Sequence, residues 1–308
     1  MPFSRPARAL LLTTVAVVAG LAGLVGLSGC GAPAPAADGV VRVVAGENSW
    51  GDIVAQIGGA HVQVTSIISD PNTDPHDYES SDRDAVAIAT ANLVVENGLG
   101  YDDFLSRLVA ASPASGRATL VVADTLGVHG SSPNPHLWYD TAALPKVAAA
   151  IAEELSRLDP ANRALFRANA RTFDASLRPI LDTIAQIHSK YAGTPIAYTE
   201  RVPGYLVQAA GLRVGVPAGF TQAVEDGSDP SPKDTAAFDN AITQHTVKVL
   251  LYNAQVTDTQ ADAIKALASG NGVPIVGVTE TMPSGTANFQ AWQLGQAREL
   301  LAALGGAR

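Results

Sequence analysis

Val40-Val41-Arg42-Val43-Val44-Ala45, the stretch 50–57, and His61-Val62-Gln63-Val64-Thr65-Ser66-Ile67-Ile68 decide how this chain folds. The first and third are short, β-branched and either continuously apolar or alternating, which is strand character. Residues 50–57 between them carry apolar side chains at helical spacing, starting with Trp50. Strands that alternate with helices imply parallel strands covered by helices on both faces. The alternation continues, with a helix over 85–90, a strand at Leu93-Val94-Val95, an amphipathic helix over 101–111 and a strand at Thr119-Leu120-Val121-Val122.

From Ala142 the character changes. Residues 142–158 read as one helical run, broken at Asp159-Pro160, where Pro160 can open the next helix with Asp159 as its cap. A helical pattern then extends to about Tyr191, about 30 residues, with Pro179 expected to kink it. A second alternation follows. Strands are expected at 195–199, 212–216, 247–252 and 273–278, and helices at 204–210, 234–244, 259–269 and 291–304. The fold class is therefore α/β: two Rossmann-like lobes with mainly parallel sheets, bridged by one long helix. The lobes span 40–141 and 192–308, and the helical region spans 142–191.

The first 29 residues stand apart from this fold. Arg5 and Arg8 precede an apolar run over 9–27, which closes in Leu27-Ser28-Gly29-Cys30. A charged start, an apolar centre and a small-residue end describe a secretory signal. The chain's single cysteine directly after that end fits a lipoprotein signal peptide over 1–29, with Cys30 acylated as the new N-terminus. An uncleaved membrane helix is the competing reading, since the run is long enough to span a bilayer. Residues 30–39, rich in Ala and Pro, read as a flexible tether.

Composition narrows the function classes. Hydrophobic residues make up 47% and charged residues 16%, enough to bury a sizeable core in two lobes. A net charge of −9 argues against nucleic acid or an anionic membrane surface as partner. With its one cysteine at the anchor, the mature fold has no thiolate for a metal, so any metal must be held by nitrogen and oxygen.

Two loops carry the chemistry. Asp74-Pro75-His76-Asp77-Tyr78-Glu79 follows an apolar strand, and Asn134-Pro135-His136-Leu137-Trp138-Tyr139-Asp140 lies before the first long helix. Each places a histidine directly after a proline, whose fixed φ restricts the backbone before the imidazole. Open α/β sheets bind their ligands at the carboxyl ends of their strands. One such histidine alone is as readily a surface or capping residue; two favour a metal. Tyr78 and Trp138 are expected to pack around these loops rather than touch the ion. His61, His188 and His245 read as surface or edge residues, and His129 as a candidate for the mouth of the site. Glu225, Asp226 and Asp229 read as a solvated turn.

These motifs, with Gly204-Tyr205-Leu206 and Thr279-Glu280-Thr281-Met282-Pro283, resemble the solute-binding proteins of zinc- and manganese-class ABC importers. The resemblance covers essentially the whole mature chain. It implies a metal site in the cleft between two α/β lobes joined by a rigid helix, four ligands from four strand-end loops, and no enzymatic activity. His76 and His136 match the first two ligand positions. Glu200 stands where the family often has histidine, and Glu280 where it usually has aspartate. Two imidazoles and two carboxylates neutralise a dication, which lowers the cost of burying it. Such a set suits Zn²⁺, while additional carboxylate oxygens favour Mn²⁺. Read without the resemblance, Glu200 and Glu280 are equally first-turn acids of helices. The resemblance further implies a cognate ABC permease as partner, an extracytoplasmic location with a lipid anchor on Cys30, and a monomer.

Three alternatives remain at this point. A metallohydrolase could use a His/Glu site, although there is no His-Glu-x-x-His helix, Gly-x-Ser-x-Gly elbow or phosphate loop. A binding protein of the same fold for an iron chelate would need a roomy cleft lined by Arg and aromatic side chains. A surface adhesin is neither supported nor excluded.

Overall fold

In the computed structural model, the described residues are 39–70, 73, 78–255 and 259–305. The signal segment, Cys30, most of the tether and His76 lie outside them. Strands β1 (Val41–Glu47), β2 (Val62–Ile68), β3 (Leu93–Glu96) and β4 (Ala118–Val121) form one parallel sheet in the order β2-β1-β3-β4. Helices α1 (Asn48–Gly58), α2 (Asp82–Thr90), α3 (Asp103–Ala111) and α4 (Val122–Leu126) are interleaved with these strands. Helix α2 begins in a capping box: the Ser81 amide and hydroxyl both donate to Asp84, at 2.7 and 2.8 Å.

The register places Val43 opposite both Val64 and Leu93, and Ala45 opposite both Ser66 and Val95. Side chains of alternate residues leave opposite faces of a strand. Val41, Val43 and Ala45 accordingly pack with Trp50, Tyr101 and Trp138, while Val44 packs with Ile68, Val94 and Phe104. Both faces of β1 are buried, which is why its sequence is nearly all apolar.

Helix α5 (Leu144–Leu158) leaves the first sheet with Pro145 in its first turn. The linking helical run continues as α6 (Arg163–Ser176) and α7 (Arg178–Tyr191), interrupted at Leu177 and with Pro179 in the first turn of α7. That is the expected effect of Pro179, which lacks the amide donor a continuous helix needs. Helix α6 packs against α5 and α1, whereas α7 packs against the last helix of the chain.

The second sheet repeats the architecture, with β5 (Pro195–Tyr198), β6 (Arg213–Val214), β7 (Leu250–Asn253) and β8 (Ile275–Val278) parallel in the order β6-β5-β7-β8. Its helices are α8 (Gly204–Ala209), α9 (Ala218–Glu225), α10 (Pro232–Thr243), α11 (Thr259–Gly270) and α12 (Phe289–Ala303). Helices α4 and α9 have no counterpart in the sequence reading. One apolar cluster runs without a break from Val41 and Trp138, through Ile151, Phe173 and Ile184, to Val249, Val276 and Trp292. The two sheets thus share a core, which opposes large hinge motion. None of the described helices is long and apolar enough to cross a membrane.

Candidate metal centre

The carboxyl ends of both sheets bring polar groups into a buried junction. His136 sits in the loop that precedes a short 3-10 turn at Leu137–Tyr139 and is fully buried. Tyr101 and Trp138 approach its ring edge-on, with centroids 5.6 and 5.5 Å away. Asn134 orients it, since Asn134 Oδ1 lies 2.7 Å from His136 Nδ1 and also accepts from the His136 amide at 3.1 Å. The Asn134 amide nitrogen donates to the Arg201 carbonyl at 2.7 Å, which identifies Oδ1 as the atom facing the imidazole. An amide oxygen only accepts, so Nδ1 is the nitrogen that donates to Asn134, and Nε2 is the nitrogen turned toward the second sheet.

Nε2 faces Glu280 Oε2 at 3.4 Å, and both side chains are fully buried. Glu280 belongs to the loop after β8, and a dense set of hydrogen bonds fixes that loop. Gln255 Oε1 accepts from the amides of Glu280 and Thr281 at 2.7 and 2.9 Å. Gln296 accepts from the Thr279 amide at 3.0 Å, and the Tyr139 hydroxyl reaches the Thr279 carbonyl at 2.7 Å. Across the sheets, Asn48 Oδ1 accepts from the Met282 amide at 2.8 Å, and Asn48 Nδ2 donates to the Met282 carbonyl at 2.9 Å. Glu280 Oε2 accepts from the Tyr101 hydroxyl at 2.7 Å, which joins the two lobes at the site itself.

Glu200, 3% exposed, follows β5. One amide serves both acids: Asn253 Nδ2 donates to Glu280 Oε1 at 2.7 Å and to Glu200 Oε2 at 3.0 Å. This follows from topology, because β7 lies between β5 and β8 and ends in Asn253. Neither glutamate is a first-turn acid. Helix α8 has no acidic residue in its first turn, and α12 begins nine residues beyond Glu280, at Phe289. Gly204, in the motif after Glu200, has a steric reason to lack a side chain: a Cβ there would lie 2.5 Å from Asn134 Nδ2.

The described residues therefore bring His136 and Glu280 into direct apposition and tie Glu200 to Glu280 through Asn253. Among them, no three His, Cys, Asp or Glu side chains close around one point. The carboxylate pair is instead spanned by the Asn253 amide. The donor set still fits a hard or borderline dication: an imidazole nitrogen and two carboxylates, all buried and converging from both sheets. Tyr101 and Asn253 were not singled out in the sequence as site residues. Their only signals are polar atoms at or just after the carboxyl ends of strands, where apolar residues are the norm.

Other residues depart from or follow the sequence reading. Glu225, expected in a solvated turn, is 7% exposed and ends α9, where it forms a two-pronged ion pair with Arg201 at 2.6 and 2.8 Å. The missed helix α9 is the cause of that error. Trp138 packs beside the His136 loop as expected, on His136 at 5.5 Å and on Tyr101 at 5.0 Å, and Tyr78 packs on Phe104 at 4.8 Å. His129 is exposed. A cleft of about 280 Å³ beside the site is lined by Tyr101, Pro135, Arg201 and Glu225 among others. Its one arginine is already neutralised by Glu225, so it has no free cation for an anionic chelate.

Residues 43–303 match the family model described as zinc-uptake complex component A, periplasmic (ZnuA). The chain belongs to this family. ZnuA-family proteins are solute-binding proteins, not enzymes, and the chain is accordingly an extracytoplasmic binding component that works with an ABC permease. The chain is 24% identical over 258 residues to the manganese-binding lipoprotein MntA of Bacillus subtilis, covering 79% of this chain and 81% of that protein. It is 25% identical over 256 residues to the zinc-binding protein TroA of Treponema pallidum, covering 79% of each. The solved structure of periplasmic zinc-binding TroA matches with a TM-score of 0.74 at 20% identity, over 88% of this chain and all of that one. The solute-binding protein FpvC of Pseudomonas aeruginosa, solved with Mn²⁺, matches with a TM-score of 0.73 at 23% identity, over 86% and 98%. At these identities the structural matches establish the fold, the two-lobe α/β architecture.

Proposed function

We propose that this chain captures a divalent transition metal, Zn²⁺ or Mn²⁺, between its lobes and delivers it to the membrane permease of a metal importer. His76, His136, Glu200 and Glu280 are the proposed ligands, two from the lobe at 40–141 and two from the lobe at 192–308. The observation that carries this reading is the buried apposition of His136 Nε2 and Glu280 Oε2 across the two sheets. An imidazole nitrogen and a carboxylate brought together in a buried junction are the donor types that hold a divalent transition metal. His76 lies outside the described residues; its place in the set rests on the Asp-Pro-His loop that follows β2. When the ion enters, Glu200 and Glu280 exchange the Asn253 amide for the metal. Because the core is continuous through 142–191, release is by small rotations and loop movement rather than wide opening.

The test is competitive titration of the purified protein with Zn²⁺ and Mn²⁺, joined to elemental analysis. One ion per chain is expected; failure to bind either ion stoichiometrically would refute the reading. The chain is further proposed to act as a monomer, tethered through an acylated Cys30 with residues 1–29 removed. Cys30→Ala is expected to move the protein from the membrane fraction to the soluble one. A variant that stays with the membrane would show that the apolar run, not a lipid, holds it.

A further inference from the structure

Glu47 ends β1 and is fully buried, yet neither of its carboxyl oxygens has a hydrogen-bond partner among the described residues. An acid at the N-cap of a helix ordinarily accepts from the first-turn amides. Glu47 occupies the N-cap of α1 and makes no such bond. A buried carboxyl without partners costs free energy, so its retention needs a reason.

Its location supplies one. Glu47 has extended backbone angles, φ −113 and ψ 156, and so continues the alternation of Val41, Val43 and Ala45. That face of the sheet packs with Tyr101 and Trp138, the two rings that flank His136. The next residue, Asn48, is the one hydrogen-bonded to Met282 in the Glu280 loop. On the other side, Glu47 pairs with Ile68, the last residue of β2, from which the chain proceeds to His76.

We infer that Glu47 is a further oxygen donor of the metal pocket and sets its preference for Mn²⁺ over Zn²⁺. The inference rests on the reading of the junction as a metal site. Zn²⁺ is satisfied by four ligands, whereas Mn²⁺ favours six and oxygen donors. An extra buried oxygen therefore adds more to Mn²⁺ binding than to Zn²⁺ binding. The direction of the Glu47 titration agrees with this placement: burial first, then the charge of Asp102, and further the charges of Glu280 and Glu96, push its pKa well above the usual carboxylate range. Its own amide offsets part of that rise.

The test compares Mn²⁺ and Zn²⁺ affinities of the full-length protein with those of Glu47→Met and Glu47→Gln, by competition with a chelator. Glu47→Met is expected to weaken Mn²⁺ about tenfold and Zn²⁺ less than about threefold. Glu47→Gln keeps a carbonyl oxygen and is expected to fall between the two. The Mn²⁺ electron paramagnetic resonance spectrum should change in Glu47→Met, and the thermal midpoint of the metal-free protein should be equal or higher, because a partnerless buried acid is gone. An unchanged Mn²⁺/Zn²⁺ ratio would overturn the inference. So would equal losses for both ions together with a lowered metal-free midpoint, the signature of a packing role. If the unaltered protein binds neither ion, the metal reading itself fails, and this inference with it.

Discussion

Replacing His136 with alanine is expected to weaken Zn²⁺ or Mn²⁺ binding by at least about a hundredfold. Protein zinc sites release on the order of 10–16 kcal/mol, so one of four ligands accounts for about 3 kcal/mol, or a hundredfold. The true loss should be larger, because Asn134 fixes the orientation of the His136 ring and Glu280 is already placed against Nε2. A ligand that is pre-positioned costs no ordering when the ion arrives. The imidazole is also fully buried between Tyr101 and Trp138, so its removal leaves a small cavity. That costs about 2–3 kcal/mol of stability, comparable to a large-to-small core change. The two effects separate experimentally: far-ultraviolet circular dichroism and the metal-free midpoint report the cavity, and isothermal titration reports the ligand. Full affinity in the alanine variant would remove His136 from the site. The companion His76→Ala should match it in affinity loss, which tests the ligand that lies outside the described residues.

How much of this was legible in the sequence depended on how local the signal was. The parallel α/β plan is written in Val41–Ala45, Leu93–Val95 and Leu250–Tyr252, because strands buried on both faces are apolar at nearly every position. The breaks marked by proline, at Pro160 and Pro179, were equally readable. The short helices α4 and α9 were not. Helix α9 is eight residues with a polar surface, and it is stabilised from outside by the Glu225–Arg201 pair, which no local pattern announces. At the site, His136 was visible through its Asn-Pro-His loop. Asn253 and Tyr101 were invisible for a different reason. Their roles arise from strand order and from contacts spanning 27 and 179 residues, to Glu280 in both cases. Glu47 carries no local signal of its own, since a single glutamate after an apolar run is ordinarily a solvated cap.

The buried acids also fix how the metal-free protein should respond to pH. Burial pushes the pKa of Asp102 up to about 7 against two amide hydrogen bonds, from Asn97 and Gly98 at 2.6 and 2.8 Å, that pull it down. Glu47 is raised for the same leading reason, and Glu96 is raised by burial against a hydrogen bond from Ser106. A carboxyl with a raised native pKa keeps its proton in the folded state after the unfolded chain has lost it. Between about pH 4 and pH 7 the native protein therefore binds more protons, and stability falls as pH rises. The contribution is complete below the unfolded pKa and gone above the folded one. For Asp102, the rise from 3.8 to about 7 corresponds to at most about 4 kcal/mol, at roughly 1.4 kcal/mol per tenfold change. The metal-free thermal midpoint is thus expected to be about 5–10 °C lower at pH 8 than at pH 5, at about 2–4 °C per kcal/mol. Metal should invert this dependence. Its ligands bind deprotonated, so affinity grows with pH, and an ion at a thousand times its dissociation constant adds about 4 kcal/mol. The gap between metal-loaded and metal-free midpoints should therefore widen from pH 5 to pH 8. A metal-free midpoint that climbs steadily over that range would show that these carboxyls are ionised in the fold and stabilised by partners.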